Sequence, residues 1–194
     1  MRLLLPAILL LLLGASVPLS GCGQSGCKVA GDSAVPVGGA FELTDQKGRA
    51  VTNDTLKGTY RIVYFGFTFC PDICPTELQH ITDALEMLGK DASKITPVFV
   101  TVDPERDTVP VMAAYLANFH PSFIGLTGTA DQIAKAAAAY RIFYSKEVPK
   151  DAPESYTMNH SSYVYVMDCQ GRYIRHLDAG TSAADMAKAL KELL

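Results

Sequence analysis

The chain has 194 residues, of which 48% are hydrophobic, and its formal net charge at pH 7 is −3. This length suits one ordinary domain, and the hydrophobic fraction is typical of a packed globular core. Because basic residues are scattered along a chain of negative net charge, the sequence indicates no nucleic-acid-binding surface.

The N-terminal segment, residues 1–21, predicts a lipoprotein signal peptide. Arg2 is the only charged residue before the leucine-rich stretch 3–13, and a basic start with a short apolar run is typical of secretion signals. That run is shorter than the roughly 20 residues that a membrane-spanning helix needs. Residues 19–22 (LSGC) resemble a bacterial lipobox, which implies cleavage before Cys22 and lipid attachment to its sulfur. The alternative is an uncleaved membrane anchor. Both interpretations place the domain outside the cytoplasm on a membrane, at the periplasmic face or the cell surface.

Residues 22–36 predict a flexible tether, and residues 37–194 predict the folded domain. The tether is rich in Gly, Ser and Ala and lacks periodicity. The predicted elements of the domain are, in chain order, a hairpin over 41–52, a strand over 60–69, a helix over 74–88, a strand over 95–102, a helix over 109–118, a strand over 123–126, a helix over 129–140, a polar connection over 144–159, a hairpin over 163–176 and a helix from 181 onward. This alternation predicts an α/β fold with helices on both faces of a sheet. The closing hairpin and terminal helix match the thioredoxin-like fold, a central mixed sheet flanked by helices, here with an N-terminal hairpin.

Two cysteines, Cys70 and Cys74, follow the predicted buried strand 60–69 directly. The carboxyl ends of strands are where such sheets place their active groups. Because Pro75 disfavours helical geometry at the residue before it, we predict that Cys74 caps the following helix rather than lying inside it. A thiol at a helix N-terminus is favoured as thiolate, which is both a nucleophile and a metal ligand. The cysteine pair alone therefore leaves redox chemistry and metal binding open.

His160 shifts the balance towards metal binding. It ends the long polar connection, immediately before the strand at 163. Redox enzymes of the thioredoxin-like fold usually carry a cis-proline at this point, and residues 157–161 contain no proline. Two thiolates and an imidazole suit Cu(I) or Zn(II), so we predict a site formed by Cys70, Cys74 and His160. The other histidines are predicted on a helix surface, at a helix end and in an exposed hairpin: His80, His120 and His176.

Three stretches of the chain resemble the Sco/SenC family of copper chaperones. They are residues 64–75 (YFGFTFCPDICP), 101–108 (TVDPERDT) and 159–162 (NHSS). The resemblance implies that Cys70, Cys74 and His160 bind Cu(I) and Cu(II). It also implies a membrane-anchored protein that delivers copper to the dinuclear centre of cytochrome c oxidase subunit II, or maintains the redox state of its cysteines. A thioredoxin-like reductant is then an expected second partner.

Three further residues carry predictions of their own. Asp103 follows the strand next to the cysteine strand, and two interpretations stay open for it: a carboxylate that supports the metal site or docks a partner, or a cap for backbone amides near Pro104. Cys27 lies in the predicted tether and is expected to be incidental. Cys169 lies at a predicted turn and is expected to be unpaired.

We therefore expect a metallochaperone rather than an enzyme. The main alternative is a thiol–disulfide oxidoreductase dedicated to the same copper-site apoprotein, which would use Cys70 and Cys74 through a mixed disulfide. The Cys-x-x-x-Cys spacing and the absence of proline before the late strand argue against a general oxidoreductase. A thiol peroxidase is a second alternative. Peroxidases of the related fold place threonine three residues before the cysteine, whereas Thr68 lies two residues before it.

Overall fold

The computed structural model describes residue 27, residues 36–152 and residues 155–194. The predicted signal peptide, the predicted lipidation site Cys22 and most of the predicted tether lie outside these residues. Within them, no helix combines the length and the apolar character needed to cross a membrane.

Residues 36–152 and 155–194 form nine strands and four α-helices. The strands are β1 (Glu42–Asp45), β2 (Ala50–Thr52), β3 (Tyr60–Gly66), β4 (Ile95–Thr101), β5 (Ile124–Thr127), β6 (Tyr144–Glu147), β7 (Thr157–His160), β8 (Tyr163–Met167) and β9 (Tyr173–Asp178). The helices are α1 (Ile73–Leu88), α2 (Val109–Leu116), α3 (Ala130–Ala139) and α4 (Ala183–Lys191).

Seven of these strands form one sheet in the order β2-β1-β5-β4-β3-β8-β9. The central strands β3, β4 and β5 run parallel, whereas β1 and β8 pair antiparallel with the parallel core. The N-terminal hairpin β1–β2 occupies one edge, and the hairpin β8–β9 occupies the other. The predicted α/β, thioredoxin-like architecture with a mixed sheet and an N-terminal hairpin is confirmed.

Strand β3 is buried along its whole length, and its successive side chains alternate between the two faces of the sheet. Phe65 contacts Tyr140, which directly follows α3, whereas Tyr64 faces Cys74 in α1. Each large apolar side chain buried in this way stabilises the fold by about 1.5–3 kcal/mol. The backbone N–H of Val102 donates to the carbonyl of Gly66 at 2.8 Å. The segments that follow β3 and β4 therefore lie side by side at the carboxyl ends of these two strands.

The predicted polar connection 144–159 contains two strands that the sequence does not indicate. Strands β6 and β7 pair antiparallel as a separate two-stranded ribbon, with Tyr144 opposite His160. Their residues are exposed or half-buried, so they lack the apolar alternation that marks a strand packed on a core. His160 consequently ends a strand rather than a loop.

The expectations for Cys27 and Cys169 were wrong, because the two residues form a disulfide. Their Cα atoms are 6.2 Å apart, and 142 positions separate them in the sequence. Cys169 follows β8 and is buried, and its carbonyl accepts a hydrogen bond from the N–H of Gly58 at 3.0 Å. The fold places the β8–β9 turn where Cys27 can reach it, which sequence spacing could not reveal.

Candidate metal centre

The two cysteines of the motif lie where β3 gives way to α1. Strand β3 ends at Gly66, and α1 begins at Ile73, with Asp72 as the residue before its first turn. Cys74 is thus inside the helix, and the prediction that it caps α1 was wrong. The helix accepts Pro75 because backbone N–H groups in a first helical turn have no intrahelical partner to lose.

Gly66 provides the space that the Cys74 sulfur occupies. A Cβ atom at position 66 would lie 2.8 Å from Cys74 Sγ and 2.9 Å from Phe99 Cε2. Both distances are shorter than van der Waals contact, so only glycine fits without displacing its neighbours. The end of β3 and the start of α1 can therefore approach closely enough to bury Cys74 fully.

The two thiols have opposite protonation preferences. The hydrogen bond from the Cys74 thiol, together with backbone N–H donors, lowers the pKa of Cys70 to about 5. The Cys74 N–H lies 3.4 Å from Cys70 Sγ. The pKa of Cys74 is raised, because its thiol donates to Cys70 and because burial disfavours the charged form. At neutral pH the half-buried Cys70 is a thiolate and the buried Cys74 is its hydrogen-bond donor.

His160 directs one ring nitrogen at this pair. Its Nε2 lies 3.7 Å from Cys74 Sγ, and its Nδ1 lies 3.0 Å from the carbonyl oxygen of Ser161. Because a carbonyl only accepts, we assign the ring proton to Nδ1, which leaves the Nε2 lone pair facing the sulfur. Edge-on contacts with Tyr64 and Phe67 hold the ring, at centroid distances of 6.2 Å and 6.0 Å.

Tyr64 completes the buried side of the site. Its hydroxyl lies 4.0 Å from Cys74 Sγ. Burial raises the pKa of Tyr64 well above its ordinary value, so the phenol stays protonated. A neutral donor next to sulfur favours a thiolate at Cys74 once that thiol loses its proton.

The three predicted ligands thus lie near one another, beyond the carboxyl end of β3. Cys70 follows β3, Cys74 lies in the first turn of α1, and His160 ends β7. Across the described residues, no group of three or more His, Cys, Asp or Glu side chains is already arranged to enclose an ion. The donors nevertheless fit a soft cation, because one sulfur is a thiolate and an imidazole lone pair points at the second. The 3.7 Å between Cys74 Sγ and His160 Nε2 suits two ligands of one ion, at about 2.3 Å for sulfur and about 2.0 Å for nitrogen.

A family model described as SCO1/SenC matches residues 29–194 of the chain. The chain belongs to the SCO1/SenC family. The SCO2-like protein of Rickettsia felis is 44% identical over 157 residues, which span 81% of this chain and 77% of that relative.

Two solved structures with copper bound are similar to this SCO1/SenC family member. ScoI of Bradyrhizobium japonicum with copper bound aligns with a TM-score of 0.75 and 43% identity, over 81% of this chain and 99% of ScoI. Yeast Sco1 with copper bound aligns with a TM-score of 0.74 and 36% identity, over 81% of this chain and 88% of Sco1.

Asp103 lies near the candidate metal centre, in a network of hydrogen-bonded and ion-paired side chains. Its buried carboxylate pairs with the guanidinium of Arg106, and it accepts a hydrogen bond from the Tyr156 hydroxyl at 2.9 Å. The backbone carbonyl of Asp103, rather than its side chain, accepts the N–H groups of Arg106 and Asp107. Asp103 therefore holds the segment after β4 and the segment before β7 together.

Arg106 is a residue of the site that sequence reasoning missed. Its guanidinium carbon lies 3.7 Å from the ring centroid of Tyr156, 4.7 Å from that of Phe69 and 5.8 Å from that of Phe67. Its Nη1 also donates to the carbonyl of Tyr156 at 2.9 Å. Arg106 thus links the cysteine loop to the segment that leads into His160. The only signal in the sequence was its place within residues 101–108.

Asp107 is a second missed residue, and it anchors the loop between β3 and Cys70. It is fully buried and accepts hydrogen bonds from the N–H of Thr68 at 3.0 Å and from the Thr101 hydroxyl at 2.6 Å. The Thr68 hydroxyl donates to its other oxygen at 2.5 Å. Burial raises the pKa of Asp107. Its contacts fix the backbone two residues before Cys70.

Proposed function

We propose that this protein is a membrane-tethered copper-binding chaperone for the dinuclear copper centre of cytochrome c oxidase. It would deliver copper to that centre or prepare the cysteines that receive it. The observation that carries the proposal is the 3.7 Å approach of His160 Nε2 to Cys74 Sγ, with the ring proton held on Nδ1 by Ser161. An imidazole arranged in this way is a ligand rather than a proton donor to the sulfur. The copper-bound ScoI and Sco1 structures support the same interpretation.

The proposed ligands are Cys70, Cys74 and His160, with copper as the cargo. Cys70 is already a thiolate at neutral pH, because its pKa is about 5. Cys74 must lose its proton for both sulfurs to bind, so loading releases protons. Since Cys70 is half-buried whereas Cys74 is buried, a sulfur of an acceptor protein reaches the Cys70 side of the centre first. The cargo would pass to the acceptor there by exchange of ligands.

The proposed location follows from the sequence of the N-terminal segment. Residues 1–21 act as a signal peptide, Cys22 carries the lipid, residues 22–36 form the tether and residues 37–194 form the copper-binding domain. The anchored domain would meet subunit II of cytochrome c oxidase as the copper acceptor. A thioredoxin-like protein would keep Cys70 and Cys74 reduced.

One observation favours a second function, that of a dedicated thiol–disulfide reductase. A low-pKa, accessible Cys70 beside a protonated Cys74 is the arrangement of an attacking and a resolving thiol. The Cys70 thiolate would attack an acceptor disulfide, form a mixed disulfide and release one acceptor thiolate. Cys74, after losing its proton, would then attack the Cys70 sulfur and release the second. The acceptor is reduced, the pair is oxidised, and the thioredoxin-like partner restores it.

A disruption strain tests the proposal and separates its two forms. Loss of cytochrome c oxidase activity that added copper restores supports delivery, whereas loss that copper does not restore supports reduction of the acceptor. Complementation with His160→Ala sharpens the distinction, because this variant keeps both thiols and loses the imidazole. Oxidase activity that is unchanged in the disruption strain would contradict the proposal in both forms.

A further inference from the structure

The Cys27–Cys169 disulfide connects the N-terminal tether to one particular end of the domain. Cys169 follows β8, whose residue Met167 pairs with Arg61 near the start of β3. The carbonyl of Cys169 accepts the N–H of Gly58, just before β3 begins. Cys27 lies against this same end, where it lines a cavity of about 240 Å³ with Thr59, Ser93 and Lys94.

The metal centre lies at the opposite end of the sheet. Cys70 and Cys74 follow the last residue of β3. The disulfide instead lies next to Gly58, which comes just before the first residue of β3. Strand β3 runs from Tyr60 to Gly66, so the strand alone accounts for about 20 Å at about 3.3 Å per residue, and the segments that carry Cys70 and Cys169 lie beyond its two ends. The point of attachment and the copper-binding edge are therefore on opposite sides of the domain.

The disulfide also shortens the connection to the lipid. Four residues, 23–26, separate Cys22 from Cys27, so an extended chain reaches at most about 18 Å from the lipidated cysteine to the disulfide. Without the disulfide, the connection would run from Cys22 to Pro36, the first residue of the continuous described chain, and would reach about 50 Å.

These lengths decide which orientations are open to the domain. A domain of this size is roughly 40 Å across. To turn the copper-binding edge towards the membrane, the connection must span that width, which about 50 Å of chain permits and about 18 Å does not. The shorter connection keeps the disulfide end next to the lipid.

We propose that the Cys27–Cys169 disulfide fixes the orientation of the domain on the membrane. The end formed by Gly58, Thr59, Ser93 and Lys94 faces the lipid surface, and the edge with Cys70, Cys74 and His160 faces away from it. This inference rests on the lipid attachment at Cys22 proposed above. It assigns a role to two cysteines that take no part in copper binding, and it requires an acceptor whose copper site stands clear of the bilayer.

Two tryptophan probes test the orientation on the full-length lipoprotein in vesicles that contain headgroup-labelled nitroxide lipids. The chain has no tryptophan of its own. Ser93→Trp reports from the disulfide end. Phe143→Trp reports from the copper end, since Phe143 is 65% exposed and its N–H bonds to the Ser161 hydroxyl. We expect the Ser93 probe to lose most of its emission and the Phe143 probe to keep it.

Two alterations of the tether serve as matched controls. Cys27→Ser with Cys169→Ser removes the disulfide. A Gly/Ser insertion between Gln24 and Ser25, longer than the width of the domain, keeps the disulfide and leaves its folded surroundings intact. Both should reduce the difference in quenching between the two probes. The insertion keeps the test valid if the serine variant does not fold.

The outcomes separate this inference from the anchor on which it rests. An anchored protein whose two probes are quenched alike, or whose Phe143 probe is quenched more, overturns the orientation. Peptide mapping that finds Cys27 and Cys169 unpaired in the anchored protein overturns it as well. A protein absent from the membrane fraction overturns the anchor and the orientation together, while copper binding, measured separately on the same preparation, stands or falls independently.

Discussion

At the scale of single residues, the two sulfurs of the candidate metal centre differ in exposure and in protonation state. Cys70 is accessible and charged, whereas Cys74 is buried and holds its proton. The difference arises because the Cys70 sulfur accepts hydrogen bonds from the Cys74 thiol and from the Cys74 backbone N–H, at the start of a helix whose unpaired N–H groups favour negative charge. We therefore expect a reaction at this site, with copper or with a disulfide, to begin at Cys70.

The pH dependence of alkylation tests this difference in the reduced, metal-free protein. Below its pKa, Cys70 is a thiol and unreactive. Above its pKa it is a thiolate, so its rate of reaction with iodoacetamide should rise with a midpoint near pH 5. Cys74 should stay unreactive through neutral pH, because its pKa is raised. Mass spectrometry of the labelled peptides separates the two sites, and a Cys70 rate that rises only near the ordinary thiol pKa of about 8.5 would contradict the assignment.

Gly66 tests the packing of the buried sulfur. Gly66→Ala places a methyl group 2.8 Å from Cys74 Sγ, so we expect weaker copper binding and a free energy of unfolding that falls by about 1–3 kcal/mol. Gly125→Ala in β5 is the matched control, because its methyl group would press on Leu116 and Met112, away from the centre. It should lower stability similarly and leave copper affinity unchanged. Equal copper affinity in both variants and the parent, measured by competition with a Cu(I) chelator, would refute this role for Gly66.

At the scale of elements, the site depends on connections between segments distant in sequence. The β6–β7 ribbon carries His160, and Arg106 ties the segment just before β7 to the loop of Cys70. Asp107 holds the same loop by accepting a hydrogen bond from the backbone N–H of Thr68. The ligands are therefore held by side chains from the segment after β4, which supplies no ligand itself.

Arg106→Lys tests this connection. Lysine keeps the charge but loses the planar group that stacks on Tyr156 and bonds to two partners, so the His160 segment should loosen and copper affinity should fall by about 10-fold. Lys146→Ala is the control, because Lys146 also lies over the Tyr156 ring, at 3.8 Å, but is more exposed than Arg106 and pairs with exposed Glu105. An exposed pair contributes about 0–1 kcal/mol. The idea fails if both variants bind copper as the parent does.

The elements also show what the sequence could and could not predict. Strands β3 and β4 were predictable because continuous apolar runs require burial on both faces of a sheet. The ribbon of β6 and β7 was not, because its residues are polar and its pairing depends on the neighbouring loops. Pro75 misled the prediction for Cys74, because the preference of the residue before proline gave way to the start of the helix.

At the scale of the whole molecule, the residue types of the proposed ligands could be found in the sequence, but not what supports them. The tautomer of His160, the space left by Gly66 and the stacking of Arg106 on aromatic rings all depend on contacts between distant segments. The Cys27–Cys169 disulfide is the clearest case, because no spacing rule connects cysteines 142 positions apart. That disulfide also joins the proposed anchor to the fold as a single oriented unit.

The most direct test of the account is Cu(I) binding by the reduced chain and its single-site variants. The measurement is made with Cys27→Ser and Cys169→Ser in the background, so that these two thiols cannot bind the metal. His176→Ala is the control, because His176 is an exposed histidine whose ring bonds to Tyr173. We predict that the parent and His176→Ala bind about one ion per chain through a soft three-donor site. Cys70→Ala, Cys74→Ala and His160→Ala should each weaken binding by more than about 100-fold, the upper range for residues that only support a metal site. Binding by His160→Ala or Cys74→Ala as tight as that of the parent would contradict the assignment.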